Sequence, residues 1–120
     1  MSAKRRNRGA AAQQQQSAAV FAALGDETRM GFVARLGEEG PLSTAELGAD
    51  SSVSRQAITK HLHVLADAGL VRGLRRGRDS VWELQPQRLV AARRCLEQIS
   101  RQWDDALGRL RALVEDEDSS

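Results

Sequence analysis

A chain of 120 residues is one domain's worth of sequence, long enough for a modest core and too short for two. Aromatic residues are scarce and the apolar content is mainly Leu, Val and Ala, which suits helices packed on helices. A net charge of +2 argues only weakly for nucleic acid, and the single cysteine, Cys95, excludes an internal disulfide or an all-cysteine metal site in one subunit.

The charges are unevenly placed. Lys4, Arg5, Arg6 and Arg8 open the chain, and Glu115 to Asp118 nearly close it. Between them the densest basic stretch runs from Arg72 to Arg78. Residues 1–16 continue into Gln13–Gln16 without core periodicity and read as a disordered basic arm, either solvated or touching phosphates. Residues 17–114 should fold, and 115–120 read as an acidic disordered tail. No apolar run follows the basic start as in a secretory signal, and none is long enough to span a membrane. A cytoplasmic location is expected, on the nucleoid when DNA is bound.

In chain order, a short helix is predicted from Ser17 to Leu24 with Val20, Phe21 and Leu24 on one face, ended by Gly25. Asp26 suits the N-cap of a second helix reaching Leu36, with Met30, Phe32, Val33 and Leu36 as its apolar residues. Gly37 to Gly40 should break it, and Pro41-Leu42 starts an extended piece. Ser43 and Glu46 have capping-box spacing and open a helix ending near Gly48. After a polar turn at 49–53, Ser54 caps a helix that ends near Ala68, with Gly69 as its stop. Ile58, Leu62 and Leu65 form its core stripe. Gln56, Thr59, Lys60 and His63 lie on the opposite face, where no acidic residue appears before Asp67. Such a pair of helices is a helix-turn-helix.

A hairpin follows. Leu70 and Val71 start a strand, Arg76 to Asp79 make the turn, and Ser80 to Leu84 return, with Val81 and Glu83 on one face and Trp82 and Leu84 on the other. Arg72, Arg75, Arg76 and Arg78 make this a basic wing. From Pro86 a long helix should run to about Val114. Leu89, Ala92, Leu96, Ile99, Trp103, Ala106, Leu110 and Leu113 fall at alternating steps of 3 and 4, a heptad seam. So small a domain cannot cover all of it, and the same helix of a second subunit is the simplest partner. The expected fold is therefore mainly α with a small β-hairpin: a winged helix-turn-helix with a long C-terminal dimerisation helix.

Candidate DNA-binding residues follow from this placement. Ser54 can cap its helix and reach a phosphate. Arg55 and Gln56 occupy the first turn, where Arg suits guanine and Gln suits adenine edges. Thr59, Lys60 and His63 continue that face, and Arg76 and Arg78 should lie along the DNA backbone or in the minor groove. Arg75 is expected to pair with a carboxylate. His61 should pack at the domain's edge, and because it and His63 point to different faces they cannot chelate one metal. Trp82 is expected in the core and Trp103 at a dimer interface formed with Val20, Leu24, Leu96, Ile99 and Leu110. Cys95, one step off the seam, reads as an inert thiol ahead of a redox role.

The segments Phe21–Arg29, Ser54–Leu65 and Ala68–Val71, with the Gly77-Arg78 wing tip and the terminal helix, resemble the ArsR-type regulators over about residues 17–114. The resemblance implies a winged-helix homodimer joined through its first and last helices that represses transcription, often of its own operon, by binding an imperfect palindrome in a promoter. Metal-sensing members carry cysteines on the helix before the recognition helix, or Asp and His pairs on the terminal helix. Here Ser43–Gly48 holds neither Cys nor His, and the terminal helix has no His. The segment Ile99–Asp104 resembles the metal-independent branch, so no cofactor is expected and no inducer is implied. A protein-interaction module that does not read DNA would show more apolar residues on the helix face. An enzyme lacks any catalytic grouping at readable spacing.

Overall fold

The structure, a computed structural model, describes residues 2–118, with side chains from Gly9 to Glu117. Its elements are α1 (Ser2–Leu24), α2 (Glu27–Glu39), β1 (Leu42–Ser43), α3 (Thr44–Gly48), α4 (Arg55–Asp67), β2 (Val71–Arg76), β3 (Asp79–Leu84) and α5 (Pro86–Asp118). The three strands form an antiparallel sheet in the order β1-β3-β2. The mainly helical winged helix-turn-helix expected from the sequence is what the chain adopts.

Helix starts follow local chemistry. Asp26 caps α2 by accepting the Arg29 backbone N–H at 3.1 Å. Ser43 and Glu46 form the reciprocal capping box of α3. The Arg29 N–H holds the Asp26 carboxyl below its ordinary pKa. The Ser43 backbone N–H, followed by its hydroxyl, does the same for Glu46. Helix α4 ends in a Schellman arrangement: Leu70 N–H donates to the Leu65 carbonyl and Gly69 N–H to that of Ala66, with Gly69 at φ 77°. Leu65 and Leu70, both fully buried, supply the apolar contact beside it.

Several boundaries differ from expectation. The segment read as a disordered arm, 1–16, is helical from Ser2, so α1 is far longer than Ser17–Leu24. Ala10–Ala12 and Gln13–Gln16 favour helix, and α1 packs along α5 and buries Ser17, Val20 and Ala23. The basic side chains of Lys4 to Arg8 lie outside the described side chains. At the other end α5 continues into the expected tail as far as Asp118, since no Gly or Pro after Val114 stops it. Helix α2 passes through Gly37, its last turn held by the Arg35–Glu39 pair at 3.0 Å, and stops at Gly40. Met30 is 55% exposed; it lies roughly half a turn away from Phe32 and Leu36, which are buried.

The core joins α1, α2, α3, α4 and the sheet through Val20, Leu36, Leu47, Leu62, Leu65 and Val71. Ala92 near the start of α5 belongs to it. Beyond Ala92 that helix leaves the core.

Candidate nucleic-acid interface

The surface of interest is built on α4 and the hairpin that follows it. Ser54 caps α4, its Oγ accepting the Ala57 N–H at 3.2 Å, and remains exposed. Arg55 and Gln56 in the first turn are exposed, as are Lys60 and His63 further along. Thr59 is half-buried, and its hydroxyl donates to the Arg55 carbonyl at 3.0 Å, leaving the oxygen able to accept. The opposite stripe of Ile58, Leu62 and Leu65 is buried. All six residues assigned to the reading face thus lie along one outer side of α4 or at its start.

A shallow groove of about 390 Å³ separates α4 from the hairpin. Arg55, Thr59 and His63 form one wall and Gly73, Arg75 and Ser80 the other, with Trp82 between them. Trp82 is 8% exposed, and its indole N–H donates to Thr44 Oγ1 at 3.0 Å. The His63 ring meets Trp82 edge-on, centroids 5.9 Å apart. Gly73 lies close on the other side, where a Cβ would sit 3.2 Å from the indole and press on it. Trp82 is therefore a core residue that braces the recognition helix against the wing.

Strand register decides which arginines face that groove. Gly73 pairs with Trp82 and Arg75 with Ser80, so Arg75 shares the Trp82 face and looks toward α4. Arg72 and Arg76 lie on the other face. The expected partner for Arg75 is absent: among the described residues it makes no ion pair, and Arg72 instead pairs with Glu83 across the strands. Arg76 and Arg78 are exposed at the hairpin end, around Gly77 with φ 62°. Arg75 is the groove residue that sequence reasoning missed; alternation from Trp82 through the turn was the signal that could have found it.

The residues expected at a subunit interface separate into two groups. Val20 is completely buried inside its own subunit, so it has no surface to offer a second one. Leu24 is half-buried against the same core. In contrast Leu96, Ile99, Trp103 and Leu110 are 41–64% exposed, and Leu107, Leu113 and Val114 extend the apolar stripe. Cys95 is half-buried where α5 faces α1. Among the described residues no three His, Cys, Asp or Glu side chains converge to hold a metal ion.

Comparison with known proteins agrees with this layout. A protein-family model described as a helix-turn-helix domain matches residues 24–73. The HTH-type transcriptional regulator Rv2034 of Mycobacterium tuberculosis is 41% identical over 95 residues, 79% of this chain and 85% of that protein. An ArsR-like transcriptional regulator from Rhodococcus sp. RHA1 superposes with a TM-score of 0.72 at 37% identity, over 83% of this chain and 93% of its own. The chain belongs to the ArsR family. The arsenical resistance operon repressor of Escherichia coli is also similar, 34% identical over 67 residues, 56% of this chain and 57% of its own. As a member of this family the protein is a DNA-binding transcription regulator and not an enzyme.

Proposed function

We propose that this ArsR-family regulator acts as a homodimer that reads an imperfect palindrome in a promoter and represses its own operon. The observation that carries the proposal is the continuous polar and basic surface formed by α4 and the wing. From Ser51 to Ala66 the sequence holds no acidic residue. Arg55 and Gln56 are assigned to base edges at the start of the recognition helix, with Thr59 and His63 along the same side. Ser54, Lys60, Arg75, Arg76 and Arg78 are assigned to phosphates, where they fix register without reading sequence.

Dimerisation is assigned to the exposed stripe of α5, chiefly Leu96, Ile99, Trp103 and Leu110, because so many adjacent apolar side chains are costly to leave in water. One folded unit, from α1 through α5, then carries both DNA reading and assembly, in the cytoplasm. Repression is the role named for the Escherichia coli relative. The absence of Cys and His from Ser43–Gly48 fits the metal-independent branch of the family.

Fluorescence anisotropy tests the reading. A labelled duplex from upstream of the protein's own gene is titrated at several salt concentrations beside a scrambled duplex. Tighter binding to the native duplex, falling steeply with salt as phosphate contacts release counterions, is the expected result. Equal binding to both duplexes would remove autoregulation, and no binding at low salt would remove the assigned reading surface.

A further inference from the structure

Arg29, on the first turn of α2, makes three contacts that together join three helices. Its backbone N–H is the one that Asp26 caps. Its side-chain Nε donates to the Ala23 carbonyl in the last turn of α1 at 2.6 Å, satisfying an acceptor that a helix end leaves without an intrahelical partner. Its Nη1 lies 3.1 Å from Nδ1 of His61, on the recognition helix. A guanidinium only donates, so the contact is a hydrogen bond in the tautomer that leaves His61 Nδ1 as the acceptor. Asp26 Oδ2 stands 3.9 Å from the same Nδ1, beyond hydrogen-bond reach, and its charge acts on the Arg29 guanidinium.

His61 is only partly exposed and sits between Lys60 and Leu62, beside the reading face but turned inward. Helix α1, at the other end of the junction, packs along α5. Val20 of α1, Phe32 and Leu36 of α2 and Ile58, Leu62 and Leu65 of α4 share one apolar core. Apolar packing fixes a distance between helices more firmly than it fixes rotation about an axis, whereas two directional bonds from one planar guanidinium fix both.

We infer that Arg29 and His61 form a positioning joint that sets the rotation of the recognition helix relative to α1, and hence the angle at which Gln56, Thr59 and Lys60 meet the DNA. The inference rests on the DNA-reading role proposed above. Arg29 acts through His61 and touches no DNA itself. Loss of the joint should blur sequence discrimination more than it weakens non-specific attraction, because phosphate contacts tolerate a small rotation that bidentate base contacts do not.

The test uses a duplex enriched by the wild-type protein from a random pool, with a scrambled duplex as reference. The ratio of the two affinities is measured for wild type, Arg29→Gln, His61→Leu, His61→Asn and the double variant Arg29→Gln/His61→Leu. Each is assayed well below its own melting temperature, followed by circular dichroism. Asn places an acceptor oxygen near the position of Nδ1, and Leu does not. Arg29→Gln and His61→Leu are expected to lower the ratio about tenfold, in keeping with loss of a hydrogen bond to a charged group. His61→Asn should stay near wild type, and the double variant should fall no further than the worse single one.

Wild-type discrimination by His61→Leu, or an equal loss with His61→Asn, would overturn the inference while leaving the DNA-reading role intact. So would independent, multiplicative losses in the double variant. If Arg29→Gln does not fold, the two His61 variants decide. A pool that enriches no duplex for the wild-type protein would overturn the reading role and the joint with it.

Discussion

At the scale of single residues, the reading surface separates side chains that specify from side chains that hold. Gln56 is exposed in the first turn of α4, where the carbonyl and N–H of its one side-chain amide can pair with one base. Gln56→Ala should therefore cost about 1–3 kcal/mol at one base position and relax the preference there, measured by binding to single-substituted duplexes. Lys60→Ala or Arg75→Ala should weaken all duplexes alike and lower the salt slope by about 1. A change in base preference with Arg75→Ala would contradict its assignment to a phosphate.

The two capping carboxylates give a pH prediction with a definite sign. Asp26 and Glu46 have folded pKa values below their ordinary values of 3.8 and 4.5. The stability they add is therefore fully present above those ordinary values and is lost as pH falls through the lower folded ones. Asp26→Asn keeps a good cap but removes the titration. Thermal melts across the acid range should show the variant losing less stability than wild type between neutral pH and about pH 3. Identical acid profiles would mean that Asp26 contributes nothing through its charge.

At the scale of elements, the recognition helix is held by its buried stripe and also meets Trp82, whose indole is fixed by Thr44. Thr44→Val keeps the shape of the side chain but leaves the buried indole N–H without an acceptor. The expected loss is about 1–3 kcal/mol in urea denaturation. A smaller loss would show that the indole N–H finds another acceptor when Thr44 Oγ1 is removed.

Elements carried by local signals were legible in the sequence. Ser54, the Ile58–Leu62–Leu65 stripe and Gly69 bound α4, and Ser43 with Glu46 opened α3, because caps and stops act within a few residues. Features set by tertiary contact were not. The stretch of α1 before Ser17 has no apolar periodicity of its own, and its Ala10, Gln13 and Gln14 face α5. Likewise an apolar face on a short helix does not say who covers it, which is why Val20 reads as an interface residue and is core. The exposed side of α4 was legible from its rotation about the axis. The wing was less so, since the side on which Arg75 lies depends on the register across the Gly77 turn.

At the scale of the whole molecule, α5 extends more than twenty residues past Ala92, which is its last contribution to the buried core. Trp103 and Leu110 stand on the exposed stripe of that extension, each more than half exposed. Carboxylates at both positions would be buried unpaired in a helix-to-helix interface. Trp103→Glu/Leu110→Glu is expected to sediment as a single chain where wild type sediments at twice that mass. It should also lose affinity for a palindrome while keeping its affinity for an isolated half-site. A wild-type protein that sediments as one chain at micromolar concentration would place the partner of α5 elsewhere.

Hydroxyl-radical footprinting of the wild-type protein on its selected duplex tests most directly whether two recognition helices act together. Two equivalent protected patches are expected on one face of the duplex, about one helical turn apart and related by the symmetry of an imperfect palindrome. A single patch, or the same protection on a scrambled duplex, would contradict a dimer that reads sequence through α4.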